Sequence, residues 1–359
     1  MSPRPQQILS LADRLDVDVA ATGQGVTMAF VDIGFHAHPD LLYPEKRLLA
    51  YVDVTRETPS ADDLFTARGT AWHGCMTTCV AAGSGYVSTG HYRGLAPDAQ
   101  LVLIRAAGED GRVQGKHVAA ALRVPLRYPE LGIKILNVSL GVSPGDPLAA
   151  DVNRAVRELV AAGVTVFAAA GNDPHVSPEA PGSALEAITV GGSDDRNTRA
   201  SDDDTPWTSS HGSGKPDLIA PAAWLPAPML PGTREAREAA ALYSLLGVME
   251  ELVAARRFGR PDEEVDPTVD ALVEAAQARI EHKKYVTADH QHVDGTSFAS
   301  PIAAAVAAQM LSVCPTLGPA ELRRGLTDTA VPLPGVSRTI QGAGVLSPRA
   351  AVAWARANR

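Results

Sequence analysis

Val26-Thr27-Met28-Ala29-Phe30-Val31, followed by Asp32-Ile33-Gly34, is a near-continuous apolar run that ends on a carboxylate. A strand with one wet face alternates apolar and polar residues. A run without alternation is a strand covered on both faces, as in a parallel sheet. Four more segments read the same way: residues 101–105 (LVLIR), 133–138 (IKILNV), 164–169 (VTVFAA) and 187–190 (AITV). Helical stretches separate them, notably 115–127 and 147–162. In the second, Val152, Val156, Leu159 and Val160 form one stripe of a 3.6-residue period. Strands alternating with helices require crossover connections. The expected fold is therefore α/β, with a mainly parallel central sheet and helices on both faces. Helices at 297–313 and 319–330 are expected to close the chain.

The 359 residues carry a formal net charge of −9 and a pI near 5.6. Nucleic acid and anionic membrane surfaces call for a basic face, so neither is an expected partner. No stretch reads as the roughly 18 apolar residues that span a bilayer, and the first residues hold no apolar run resembling a signal peptide. Three cysteines, Cys75, Cys79 and Cys314, are too few and odd in number for a disulfide framework. The expectation is a reduced, cytoplasmic setting.

One segment, 223–290, breaks the rhythm. It shows no strand pattern, only Pro-rich loop and two amphipathic stretches. The first places Leu242, Leu245, Leu246, Met249, Leu252 and Val253 on one face. The second opens on Asp266-Pro267, a cap followed by proline at the first helical position, and aligns Val269, Leu272, Val273, Ala276 and Ile280. A linker with Gly259, Arg260 and Pro261 joins them. This reads as a helical hairpin inserted into a single domain spanning 1–359.

The chemistry-bearing residues are spread along the chain. Asp32 sits at the carboxyl end of a buried strand, where open α/β sheets build active sites. His73, in Trp72-His73-Gly74-Cys75, starts a small-residue helix and can act as a general base if a carboxylate fixes its tautomer. Ser297, in Asp294-Gly295-Thr296-Ser297-Phe298-Ala299-Ser300-Pro301, places a hydroxyl at the first turn of a helix whose free amides suit a developing oxyanion. There the proline is expected to lie within a tolerant first turn. Asn172 ends Ala168-Ala169-Ala170-Gly171-Asn172 after a buried strand. Its amide can donate to the same oxyanion, or Gly-Asn can simply make a turn. Gly212-Ser213-Gly214-Lys215 lacks the upstream glycine of a phosphate loop, and Asp289-His290-Gln291-His292 has no companion ligand motif for a metal.

In that order, Asp32, His73, Asn172 and Ser297 resemble the motifs of the subtilisin-like serine peptidases. The segments around them agree: His38-Pro39-Asp40-Leu41 after the first motif, Ala81-Ala82-Gly83 after the second, Gly94-Leu95-Ala96-Pro97, and Asn137-Val138-Ser139-Leu140-Gly141. The resemblance implies a three-layer subtilisin-like fold and a serine endopeptidase acting on polypeptide substrates. By it, Ser297 is the nucleophile, His73 the base, Asp32 its orienting carboxylate and Asn172 an oxyanion donor. Ser139, Leu140 and Gly141 would pair with the substrate backbone, with Ala170 and Gly171 opposite. No cofactor is implied for the chemistry.

The chain departs from the family at several points. Cys75 stands where threonine is usual, with Cys79 one turn on. These two are either small buried residues or a thiol-sensitive pair. The Asn-rich loop that often holds calcium is replaced by Ser84-Gly85-Tyr86-Val87-Ser88-Thr89-Gly90. That weakens the expectation of calcium, and Asp202-Asp203-Asp204 is the remaining acidic candidate. Alignment puts Glu179 at the floor of the pocket for the residue before the scissile bond (P1). It would favour Lys or Arg there, fill the pocket and favour small residues, or turn into solvent. The helical insertion is either surface decoration or a lid or dock for a regulatory partner.

Overall fold

All five apolar runs are strands of one sheet in the computed structural model, which describes residues 8–56, 61–66, 69–143, 145–259 and 267–359. The chain passes through β1 (Thr27–Asp32), β2 (Leu48–Asp53), β3 (Gln100–Arg105), β4 (Ile133–Val138), β5 (Thr165–Ala169), β6 (Ile188–Asp194), β7 (Thr205–Pro206) and β8 (Leu218–Pro221). These make an eight-stranded sheet in the order β2-β3-β1-β4-β5-β6-β7, with β8 also pairing to β6. Only the short β7 pairs antiparallel. After β1 the chain builds β2 and β3 to one side and then returns to place β4 on the other. The carboxyl ends of β1 and β4 therefore flank the crevice where strand order reverses, the usual ligand position in open α/β sheets.

Helices cover both faces. The chain carries α1 (Leu11–Arg14), α2 (Pro39–Leu42), α3 (Ala71–Ala82), α4 (Gly115–Leu122), α5 (Val124–Arg127), α6 (Ala149–Ala161), α7 (Arg234–Gly259), α8 (Pro267–His282), α9 (Thr296–Val313), α10 (Pro319–Asp328), α11 (Arg338–Gln341) and α12 (Pro348–Ala357). The pleat of β1 sorts its side chains. Met28 and Phe30 join the layer containing α3 and α9, and Ala29 and Val31 join the layer containing α4 and α6. Each fully buried Leu, Ile or Phe contributes about 1.5–3 kcal/mol, so both layers stabilise the sheet beneath the crevice.

Several expectations need correction. The stretch 115–127 is two helices, because Pro125 withdraws an amide and the chain resets at Arg123. The last helix, α12, gave no sequence expectation. The 18-residue α9 does meet the length and hydropathy of a membrane span, contrary to the sequence reading, yet 83% of it is buried against the sheet. Its run of alanines lets it lie close on β4, β5 and β6. The segment 223–290 contains strand after all. β9 (Leu225–Pro228) pairs antiparallel with β10 (His290–Val293) in a ribbon. Prolines at 226 and 228 hid β9, and they are tolerated because the ribbon leaves one edge of each strand unpaired. The inserted helices thus rise from the tip of a ribbon. Of their expected residues, Ala276 and Ile280 are buried while Leu252 and Leu272 stay exposed. Arg260, Pro261 and Asp266 lie outside the described residues, as does the side chain of Val253.

Candidate active site

Asp32 is 1% exposed at the end of β1 and points at α3. Its Oδ1 lies 2.7 Å from His73 Nδ1 and accepts the Ile33 amide at 2.7 Å. Its Oδ2 accepts the Thr77 hydroxyl at 3.1 Å. These bonds fix the carboxylate, and the carboxylate fixes the imidazole with Nδ1–H toward it and Nε2 free to take a proton. The His-Gly pair has a steric cause. A Cβ on residue 74 would stand 2.2 Å from the Gly34 carbonyl and 2.9 Å from Asp32 Cβ. Only glycine lets α3 close on the end of β1. Burial pulls the His73 ring down, but the charge and hydrogen bond of Asp32 outweigh it and hold the ring above the ordinary histidine value.

Ser297 is the second residue of α9, and its Oγ is directed to the Ser139 carbonyl at 3.4 Å. The hydroxyl therefore rests on backbone and makes no hydrogen bond to His73 in this structure. Pro301 lies beyond the first turn of α9, not within it as expected. Being proline, it cannot donate to the carbonyl four residues back, which belongs to Ser297. The Ser139 hydroxyl donates to that carbonyl instead, at 2.7 Å. Asn137 Nδ2 donates to Ser139 Oγ at 3.0 Å, and the Ser300 hydroxyl donates to Asn137 Oδ1 at 2.7 Å. This buried chain ties the nucleophile's helix to β4 and offsets the helix defect. Sequence reading had Ser139 only as a substrate contact, and a buried asparagine inside β4 was the signal for the rest.

Asn172 is oriented by its oxygen. Oδ1 accepts both the Thr296 amide at 3.0 Å and the Thr296 hydroxyl at 2.8 Å. Because an N–H can only donate, the accepting atom must be the oxygen, and Nδ2 is left as a free donor beside Gly295. The Gly171 amide bonds Thr296 Oγ1 at 3.1 Å, and its φ of 103° is one that residues with a Cβ avoid. Ala170 is buried and bonds back to Val190. We expect Asn172→Ala to lower kcat by about 10²–10³-fold with a smaller change in KM, through loss of the donor to the charged intermediate together with loss of the acceptor that holds Thr296 beside Ser297. Equal loss in KM and kcat would deny that role.

The substrate side is also assembled. Leu140 is buried and Gly141 is exposed. The Val142 amide donates to the Ala180 carbonyl at 2.8 Å, so residues 178–180 run beside the segment after β4. Glu179 is half-buried, and its Oε2 lies 3.0 Å from where a Gly141 Cβ would stand. It does not turn fully into solvent.

With the geometry in place, the profile of the Subtilase family matches residues 23–344. This chain belongs to that family. It is 31% identical over 345 residues to the serine protease AprX of Bacillus subtilis, covering 91% of this chain and 66% of AprX. It is 32% identical over 200 residues to subtilisin BL of Lederbergia lenta, covering 56% of this chain and 65% of that protein. The chain thus spans just under two thirds of these curated relatives. A solved cold-adapted subtilisin-like serine proteinase superposes with a TM-score of 0.57 at 20% identity, covering 91% of this chain and 88% of that one, and supports the fold.

Subtilases often carry calcium, which needs roughly six to eight oxygen ligands. The loop 84–90 turns an amide, not carbonyls, toward the Asp40 carboxylate, with Val87 N–H on Oδ1 at 2.9 Å. The other side chains there are His38 and Cys79. This donor set does not fit calcium. At 202–204, Asp203 is engaged by the Thr198 hydroxyl at 3.0 Å. Asp204 is pushed up to about 7 by burial and by neighbouring Asp195 and Asp203.

Proposed function

We propose that this subtilase is a serine endopeptidase using Asp32, His73 and Ser297, with Asn172 and the Ser297 amide receiving the oxyanion. The observation carrying this is the fixed Asp32–His73 pair at 2.7 Å beside a helix-borne serine and an amide donor held by its oxygen. Ser297 Oγ attacks the peptide carbonyl carbon and passes its proton to His73 Nε2. His73 then protonates the leaving amine, and water repeats the sequence on the acyl-enzyme. Covalent labelling of Ser297 by a fluorophosphonate, abolished in Ser297→Ala, tests the reading. Unlabelled folded protein would instead mark a silent scaffold. Three buried, unpaired cysteines support a reducing, cytoplasmic setting, which the location of a tagged full-length chain in fractionated cells would test.

For substrate class we propose polypeptides with Lys or Arg at P1. A carbonyl held between Ser297 and Asn172, with its backbone along 139–141, directs the P1 side chain toward Glu179. Matched Lys, Phe and Ala substrates should differ by roughly 10-fold or more in kcat/KM in favour of Lys, as a desolvated charge pair allows. Glu179→Gly should remove that preference. An unchanged preference in the variant sinks the assignment.

For the helical insertion we propose a partner-docking element. Ala239, Ala276 and Ile280 anchor its foot, while Val248, Leu252 and Leu272 remain exposed toward the tip. Its chain leaves the ribbon at the end where His290 faces Pro228, and its C-terminal foot returns along β10, where the His292 amide donates to the Lys284 carbonyl at 2.8 Å and Lys284 Nζ meets Asp294 at 2.7 Å. Replacing 233–284 with a Gly/Ser linker should leave hydrolysis of protein and small peptide substrates equally unaffected. Selective acceleration on large substrates would make it a lid instead.

A further inference from the structure

His38, Asp40 and Cys79 converge in the core, away from the triad, with their ligand-capable atoms all within 4.8 Å of one another. His38 and Asp40 come from the turn opening α2, and Cys79 from α3, so the trio sits on anchored backbone. All three are buried, with His38 at 1% and Asp40 at 0% exposure. The Asp40 carboxylate is not neutralised by a direct side-chain partner. Arg47 donates to the Asp40, Ala82 and Ala99 backbone carbonyls, with its cation near the carboxylate but not bonded to it, and Asp40 Oδ2 has no hydrogen-bond partner among the described residues. A fully buried carboxylate oxygen left bare costs several kcal/mol unless a cation or proton meets it.

The tautomer of His38 places its lone pair toward Asp40. Its Nδ1 accepts the Asp40 amide at 3.1 Å and lies 3.9 Å from Asp40 Oδ1, so ligation by this nitrogen would exchange that one hydrogen bond for the metal. The ring also hydrogen-bonds the Met229 backbone. A metal-bound histidine commonly donates its other N–H to a backbone carbonyl, which fixes the ring. Nearby, His290 is 1% exposed, and its Nε2 is likewise without a partner. Nitrogen, thiolate sulfur and a single carboxylate form the ligand set of zinc, with bonds of about 2.0–2.3 Å, and not that of calcium or magnesium.

We propose that His38 Nδ1, Asp40 Oδ2 and Cys79 Sγ form a structural zinc-type site, with the buried, unpartnered His290 Nε2 as the candidate for a fourth donor. Binding would release the Cys79 proton to solvent and leave a thiolate on the metal, with no change of oxidation state. The site would clamp the turn after β1 to the middle of α3, one helix that also carries His73.

The test expresses the full chain in minimal medium supplemented with cobalt, because a buried site is best loaded during folding. About one cobalt per chain is expected, with an intense near-ultraviolet thiolate-to-cobalt charge-transfer band and the strong visible absorption of tetrahedral cobalt. Zinc-supplemented protein should hold about one zinc per chain and melt higher than protein from metal-depleted medium. Cys79→Ser should lose the near-ultraviolet band and most of the metal while keeping a native circular-dichroism spectrum. Cys75→Ser should keep both. Folded wild-type protein without bound metal, a band that survives Cys79→Ser, or displacement of cobalt by calcium would each overturn the proposal. The readout is independent of peptidase activity, so it stands or falls apart from the catalytic assignment.

Discussion

Ser297→Ala and His73→Ala are each expected to lower kcat by roughly 10⁶-fold, the magnitude found when this triad is broken elsewhere in the family. The fold should survive, because neither side chain carries packing that its neighbours cannot replace. The double variant should be scarcely worse than either single one, since nucleophile and base act as one unit. Asp32→Asn is expected to cost about 10⁴-fold by presenting the wrong tautomer to His73. It also supplies a second readout. His73 must be neutral to accept the serine proton, and Asp32 holds the ring above its ordinary value. Thus kcat/KM in the wild type should rise with pH through an inflection above that of free histidine. In Asp32→Asn only burial remains, and the inflection should move to lower pH. An inflection that stays in place would mean another group governs the profile.

Arg14→Met should destabilise the protein by about 3–5 kcal/mol, the cost of stranding one member of a buried ion pair. The Arg14 side chain is fully buried, and its Nε lies 2.8 Å from Asp195 Oδ2. Its Nη1 and Nη2 reach the Trp224 and Ala223 carbonyls at 2.6 and 2.7 Å. One guanidinium therefore joins the N-terminal helix, the turn after β6 and the start of the ribbon that leads to Ser297. Methionine keeps the volume and leaves Asp195 buried beside Asp204 without its cation. Urea midpoints measured in a Ser297→Ala background, which prevents self-digestion, check this. Adding Asp195→Asn should recover part of the loss. A midpoint within about 0.5 kcal/mol of the parent would show that the pair is dispensable.

Sequence alone determined the parts of this protein whose signal is local. Five strands were legible because burial on both faces removes polar residues from them, and Asp32, His73, Asn172 and Ser297 were legible together, through their order and the resemblance of the short motifs around them. The half-exposed edge strand β2 (burial mixed along Leu48–Asp53) and the proline-bearing β9 carry no such signal. Their pairing partners, distant in the chain, create them. The same holds for the finer site. That Asn172 offers its nitrogen follows only from Thr296 lying across from it. That Pro301 is tolerated follows only from Ser139 supplying the missing hydrogen bond. That Glu179 faces Gly141 depends on how residues 178–180 are laid beside the segment after β4. Hydrophobic pattern and turn chemistry act over a few residues and can be read in order. Hydrogen-bond satisfaction and charge pairing act between residues brought together by the sheet, and only the tertiary structure decides which groups those are.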